Sequence, residues 1–168
     1  MPRLRSRSLV LGMVLGAAAT IAVALAVAVL MLRGSTPPLT RGSFDAALAR
    51  WGENGPASYD LDLVQSAGQS GVIHVEVRDG AVTAMTRDGV APKQRRTWDY
   101  WSVPGLSQII RDDLDKAHPP RKNETPANLV LRAAFDPQYG YPQRYERIDL
   151  TARHETRWDV TRFTPRKR

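Results

Sequence analysis

No cysteine occurs anywhere in this chain of 168 residues. That absence excludes disulfide staples, thiol catalysis, Cys-ligated zinc, thiol redox chemistry and lipid attachment through an N-terminal cysteine. It leaves the compartment open, because a cysteine-free chain suits either side of a membrane. Histidine is nearly as scarce: only His74, His118 and His154 are available as a general base. The motifs of nucleotide and acyl chemistry are also missing, with no Gly-x-Ser-x-Gly elbow and no phosphate-cradling glycine loop. Acidic residues are absent from both ends. Residues 1–33 hold Arg3, Arg5, Arg7 and Arg33, and residues 162–168 hold Arg162, Arg166, Lys167 and Arg168, with no carboxylate in either stretch. Between them 16 basic residues face 17 acidic ones, so the net charge of +7 belongs to the termini. A nucleic-acid-binding domain carries a basic stripe on its folded face, so no nucleic-acid partner is expected.

What is present begins with Leu9 to Leu32, 24 residues without a charge and almost all Leu, Val, Ala, Ile, Met or Gly. A helix of that length spans ~36 Å, enough to cross a hydrocarbon core of ~30 Å with some tilt. The segment is read as a retained membrane anchor. The alternative is a cleavable signal peptide, since Ala22-Val23-Ala24 and the overlapping repeats after it fit a small-x-small cleavage pattern. The apolar run continues past each such site, which favours retention. Arg3, Arg5 and Arg7 precede the span while Arg33 and Arg41 follow it, and this bias places the C-terminal part outside the cytoplasm. Cleavage would deliver it to the same side as a secreted domain.

The organisation expected is a transmembrane segment over residues 1–33, a linker over 34–42, a folded domain over 43–163 and a basic tail over 164–168. The roughly 130 residues beyond the span suffice for a core without metal or disulfide support. Ser43 caps a helix over 43–51, with Phe44, Leu48 and Trp51 at helical spacing. Tyr59, Leu61 and Leu63 alternate with Asp60 and Asp62 as in a half-buried strand, and Ile73, Val75 and Val77 form the apolar face of a second. Asp79-Gly80 predicts a type I′ hairpin into a third strand, with Val77 opposite Val82 and Val75 opposite Ala84. Ser102 caps a second helix over 103–117, striped by Leu106, Ile109, Ile110 and Leu114, with Arg111–Asp115 and Asp112–Lys116 as i,i+4 pairs. Alternation then returns at Leu129, Leu131, Ala133 and Phe135, and in segments 144–151 and 156–163. The fold class is α+β in the order α-βββ-α-βββ, with helices packed on an antiparallel sheet.

Trp51 ahead of Tyr59, the Val75-Glu76-Val77-Arg78-Asp79-Gly80-Ala81-Val82 hairpin, the stretch from Trp98 to Ile110 and Phe135-Asp136-Pro137-Gln138-Tyr139-Gly140-Tyr141-Pro142 stand in this order. Together they resemble a family of uncharacterised bacterial extracytoplasmic domains, known as a domain of unknown function. The resemblance covers roughly Ser43 to Phe163 and implies lipoprotein or singly anchored relatives. Many of them carry a cysteine pair between the first two strands. This chain has Gln65 to Gly71 there. The resemblance implies a fold and a location and supplies no activity.

Candidate chemistry is sparse. His74 falls on the polar side of its strand and His118 at a helix end, where a cation favours the dipole. Asp112, Asp113 and Asp115 fan around a helix and read as a solvated face. No catalytic residue, metal site or cofactor is expected. The candidate contact surface is Trp98, Tyr100 and Trp101 together with Tyr139 and Tyr141, since exposed aromatics are enriched at binding hot spots. The competing account is that these rings close the core. The reading is a non-catalytic module anchored in the cell membrane by one N-terminal helix and binding another envelope protein or component. The alternative is an envelope hydrolase whose site is too scattered to see. The oligomeric state has no signature in the sequence.

Overall fold

The computed structural model describes residues 36–67, 69–119 and 125–166. The expected membrane helix lies outside these residues. Among the described residues no helix is long and apolar enough to cross a membrane.

Helix α1 is Arg41–Asn54, and its cap is Thr40, not Ser43. Thr40 and Ser43 stand three apart, so each side chain serves the other's backbone. Ser43 N donates to Thr40 Oγ1 at 3.1 Å, and Thr40 N donates to Ser43 Oγ at 3.2 Å. This reciprocal box starts the helix earlier than expected because it satisfies two orphan donors at once. The helix ends where Gly55 N donates to Trp51 O at 2.8 Å.

Three strands follow: β1 (Tyr59–Ala67), β2 (Gly71–Arg78) and β3 (Ala81–Arg87). Asp79 and Gly80 both have positive φ, 49° and 81°, as a type I′ turn requires. Val77 does face Val82, but a bulge then shifts the register and Val75 faces Met85 instead of Ala84. Thr83 is the extra residue, its hydroxyl donating to Glu76 O at 3.2 Å. From the bulge onward Met85 and Arg87 occupy the face that Ala84 and Thr86 would otherwise hold.

Two short 3-10 turns, Arg95–Thr97 and Asp99–Trp101, lead into α2 (Val103–Ala117). Ser102 caps α2, accepting from Gly105 N at 3.2 Å. The expected i,i+4 pairs give way to other partners. Asp115 pairs with Arg41 at 2.7 Å and Arg111 lies over the Phe44 ring, two contacts that tie α2 to α1, while Lys116 turns to Asp113 within α2. Strands β4 (Leu129–Phe135), β5 (Pro142–Asp149) and β6 (His154–Pro165) complete one antiparallel sheet of six strands, ordered β3-β2-β1-β6-β5-β4. The element order repeats but the sheet does not: β1 is central and its counterpart β4 is an edge. Both helices contribute to the buried core. Phe44, Leu106, Ile110 and Leu114 are buried with Leu61, Leu63, Ile73, Val75, Tyr145 and Trp158 of the sheet. The chain reaches the sheet beside β4, where Leu39 N donates to Leu131 O at 2.9 Å.

Candidate functional site

A cleft of about 510 Å³ lies at the β3 edge, lined by Met85 and Arg87 of β3, Ile109 of α2, Pro92, Thr97, Tyr100 and Trp101 of the intervening segment, and Gln69. Its walls are mostly apolar. Tyr100 is 57% exposed, and Trp101 is partly buried against the core. The turn carrying both rings sits tightly on the start of α2: a Cβ at Gly105 would lie 2.0 Å from Asp99 O. Only glycine fits there, so α2 fixes the position of the aromatic turn. Trp98 packs against the core beside this turn, its Nε1 donating to Pro92 O at 3.3 Å and its ring lying beneath Arg95.

Arg87 is the charged member of the lining, and it stands opposite Ile73, a fully buried residue. It is a cation on the apolar side of the sheet. Neutral acceptors hold it: Nη2 donates to Gln65 Oε1 at 2.6 Å and Nη1 to Gln69 Oε1 at 3.1 Å. Its guanidinium carbon lies 5.6 Å from the Trp101 ring centroid, a cation–π distance. Among the described residues no carboxylate forms an ion pair with it.

Tyr139 and Tyr141 are not part of this surface. Tyr141 is buried and stacks on Phe163 with centroids 4.4 Å apart, and Tyr139 meets the same ring at 5.4 Å. Trp51 and Tyr59 complete the cluster around Phe163. The Phe-Asp-Pro-Gln-Tyr-Gly-Tyr-Pro stretch is thus a structural turn. Asp136 Oδ1 accepts from Gln138 N and Tyr139 N at 2.9 and 2.7 Å, and Gly140, at φ 82°, brings its backbone against α1. The five aromatics singled out in the sequence therefore divide: Tyr100 and Trp101 line the cleft, Trp98 supports it, and Tyr139 and Tyr141 belong to the core.

The other polar cluster lies on the sheet face away from the helices. His74 Nδ1 is 2.5 Å from Asp62 Oδ1, and Nε2 is 3.6 Å from Glu76. Asp62 also meets Arg162 at 2.7 Å. With both ring nitrogens facing carboxylates, and no described hydroxyl bonded to either, His74 has no nucleophile to activate. Burial pushes the Asp62 carboxyl up, but hydrogen bonds and charge from His74 and Arg162 outweigh it and hold it below the usual range. Asp113, expected on a solvated helix face, is buried. It accepts from the Tyr145 hydroxyl at 2.8 Å, with Arg147 Nε 3.3 Å away. Among the described residues no group of three or more His, Asp or Glu side chains is arranged to hold a metal ion.

No curated protein and no solved structure matches the chain. The model of a family described as a family of unknown function (DUF6174) matches residues 43–165, and the chain belongs to that family.

Proposed function

We propose that this member of the family of unknown function is a non-catalytic binding module. Its N-terminal helix holds it on the extracytoplasmic side of a cell membrane, and the cleft at the β3 edge is its contact site. The observation that carries the reading is Tyr100, a large ring mostly in water at the mouth of an apolar cleft that also contains a cation. Clefts of roughly 300–1,000 Å³ with mostly apolar walls and few polar groups are the usual form of a ligand site. Support for the anchor is the uncharged run from Leu9 to Leu32 and the arginines ahead of it.

Two measurements test this. A reporter fused after Arg168 is expected to be active only outside the cytoplasm; activity confined to the cytosol overturns the placement. Affinity capture of the full chain from solubilised membranes is expected to retain an interactor that Tyr100→Ala loses. If the wild type and this variant retain the same material, the cleft is not the contact site.

A further inference from the structure

We infer that the cleft binds an amphipathic organic acid, with the acidic group on Arg87 and the apolar body between Met85, Ile109, Tyr100 and Trp101; this rests on the reading of the cleft as the contact site. Three observations converge on that chemistry. The first is the placement of Arg87. A charge on the apolar side of a sheet is costly unless something compensates it. Here two glutamine oxygens and an aromatic face orient the guanidinium, and none of them neutralises it. These two bonds leave Nε and one hydrogen on each terminal nitrogen, since a guanidinium carries five donors. A fork of this kind recognises a carboxylate or phosphate through paired, charge-assisted hydrogen bonds.

The second observation is the electrostatic setting. Lys93, Arg95 and Arg96 are exposed on the same segment that supplies Pro92, Thr97, Tyr100 and Trp101. Among the described residues none of the three forms an ion pair within 4.0 Å of a carboxylate. Asp99 is the one carboxylate on that segment, so the stretch carries a net positive charge, which raises the local concentration of anions. The third is the apolar wall. A bare inorganic anion would gain nothing from Met85, Ile109 and Trp101, and a neutral apolar molecule would gain nothing from Arg87. A single molecule carrying both parts uses the whole site.

The occupant is a single acid molecule, since one molecule with an anionic group and an apolar body matches the cation and the apolar walls together.

The test uses the full chain in phosphatidylcholine nanodiscs, with empty nanodiscs subtracted. The probes are 4-phenylbutyrate and neutral 4-phenylbutyramide, compared by isothermal titration and by tryptophan fluorescence. The acid is expected to bind at least tenfold more tightly than the amide. Arg87→Gln is expected to remove that preference with an unchanged circular dichroism spectrum, while replacement of Lys93, Arg95 and Arg96 by Gln retains it. Equal binding of the two probes to the wild type, or a preference that follows the three loop residues, overturns the inference without any variant at Arg87 having to fold. A preference seen only when the nanodiscs contain acidic phosphatidylglycerol also overturns it, because the ligand is then the surface. If neither probe binds while Tyr100→Ala still loses the captured interactor, the ligand class is wrong and the contact site stands.

Discussion

The Tyr145 hydroxyl donates to Asp113 Oδ2 at 2.8 Å, joining β5 to α2 through a hydrogen bond inside the core. Lys116 and Arg147 approach the other carboxylate oxygen at 3.5 and 3.3 Å. The bond closes the polar part of an otherwise apolar helix–sheet contact. Tyr145→Phe leaves Asp113 one donor short in a buried setting, and a loss of about 1–3 kcal/mol is expected from urea unfolding. Burial first, and then the Asp113 charge, raise the pKa of Tyr145; burial likewise pushes Tyr59 up to about 12. Raised phenol pKa values favour the neutral folded form. Their stabilisation is complete below the ordinary value of 10.0 and is lost as pH rises through the folded values. The urea midpoint is expected to fall above pH 10, with a shallower fall in Tyr145→Phe.

Asp60 sets the opposite limit. It is buried on β1 between Arg166, whose Nε donates at 2.8 Å, and Arg78, at 2.8 Å from the other oxygen. Burial acts to raise its pKa, but hydrogen bonds and charge from Arg166 and Arg78 outweigh it, and the carboxyl stays below its ordinary 3.8. A depressed carboxyl stabilises the fold at pH values above the unfolded pKa and loses that contribution as pH falls through the folded one. Stability is therefore expected to decline below about pH 4, and Asp60→Asn to flatten that decline. At neutral pH the substitution is expected to cost about 1–2 kcal/mol, less than a fully buried pair, because both arginines reach water.

Gly140 holds the turn after β4 against α1. Its φ is 82°, and a Cβ there would lie 2.2 Å from Ala47 O and 3.0 Å from Trp51 N, both backbone atoms of a helix that cannot yield cheaply. Gly140→Ala adds left-handed strain to a backbone collision, so a loss of about 3 kcal/mol is expected in thermal or urea unfolding. A melt within a degree or two of the wild type would mean that α1 does not pack on this turn.

Helix α2 was legible because Leu106, Ile110 and Leu114 repeat at helical spacing and Ser102 stands where a cap belongs; all of these are buried. The Asp-Gly hairpin was legible because few dipeptides accept positive φ twice. The cleft was not. Unbroken alternation from Val82 puts Ala84 and Thr86 inward and leaves Arg87 in solvent. The bulge at Thr83 reverses that, and no residue in β3 announces it. Asp113 did carry a signal, since it falls on the stripe that runs through Ile110 and Ala117, and the acidic residues on either side obscured it. The sequence pointed to Ser43 as the cap where Thr40 holds that place, because both residue types cap helices and only their reciprocal bonding decides which one does.

Tyr100 and Tyr141 separate contact from core. Tyr141 is 9% exposed and stacked on Phe163, which also touches Trp51, Tyr59 and Tyr139. Removing its ring opens a void that this crowded cluster cannot close, so Tyr141→Ala is expected to cost about 3–5 kcal/mol in urea unfolding. Tyr100, 57% exposed, gives up little on truncation, and Tyr100→Ala is expected to shift stability by about 0.5 kcal/mol or less. Binding should run the other way. At a temperature where both variants remain folded, Tyr141→Ala is expected to keep the affinity of the cleft for 4-phenylbutyrate, because Tyr141 is not among the lining residues. Tyr100→Ala is expected to weaken it about tenfold, the ~1.4 kcal/mol that one aromatic wall supplies to an apolar ligand. A Tyr100→Ala protein that is as unstable as Tyr141→Ala would place the ring in the core and remove the reason for treating the cleft as a site.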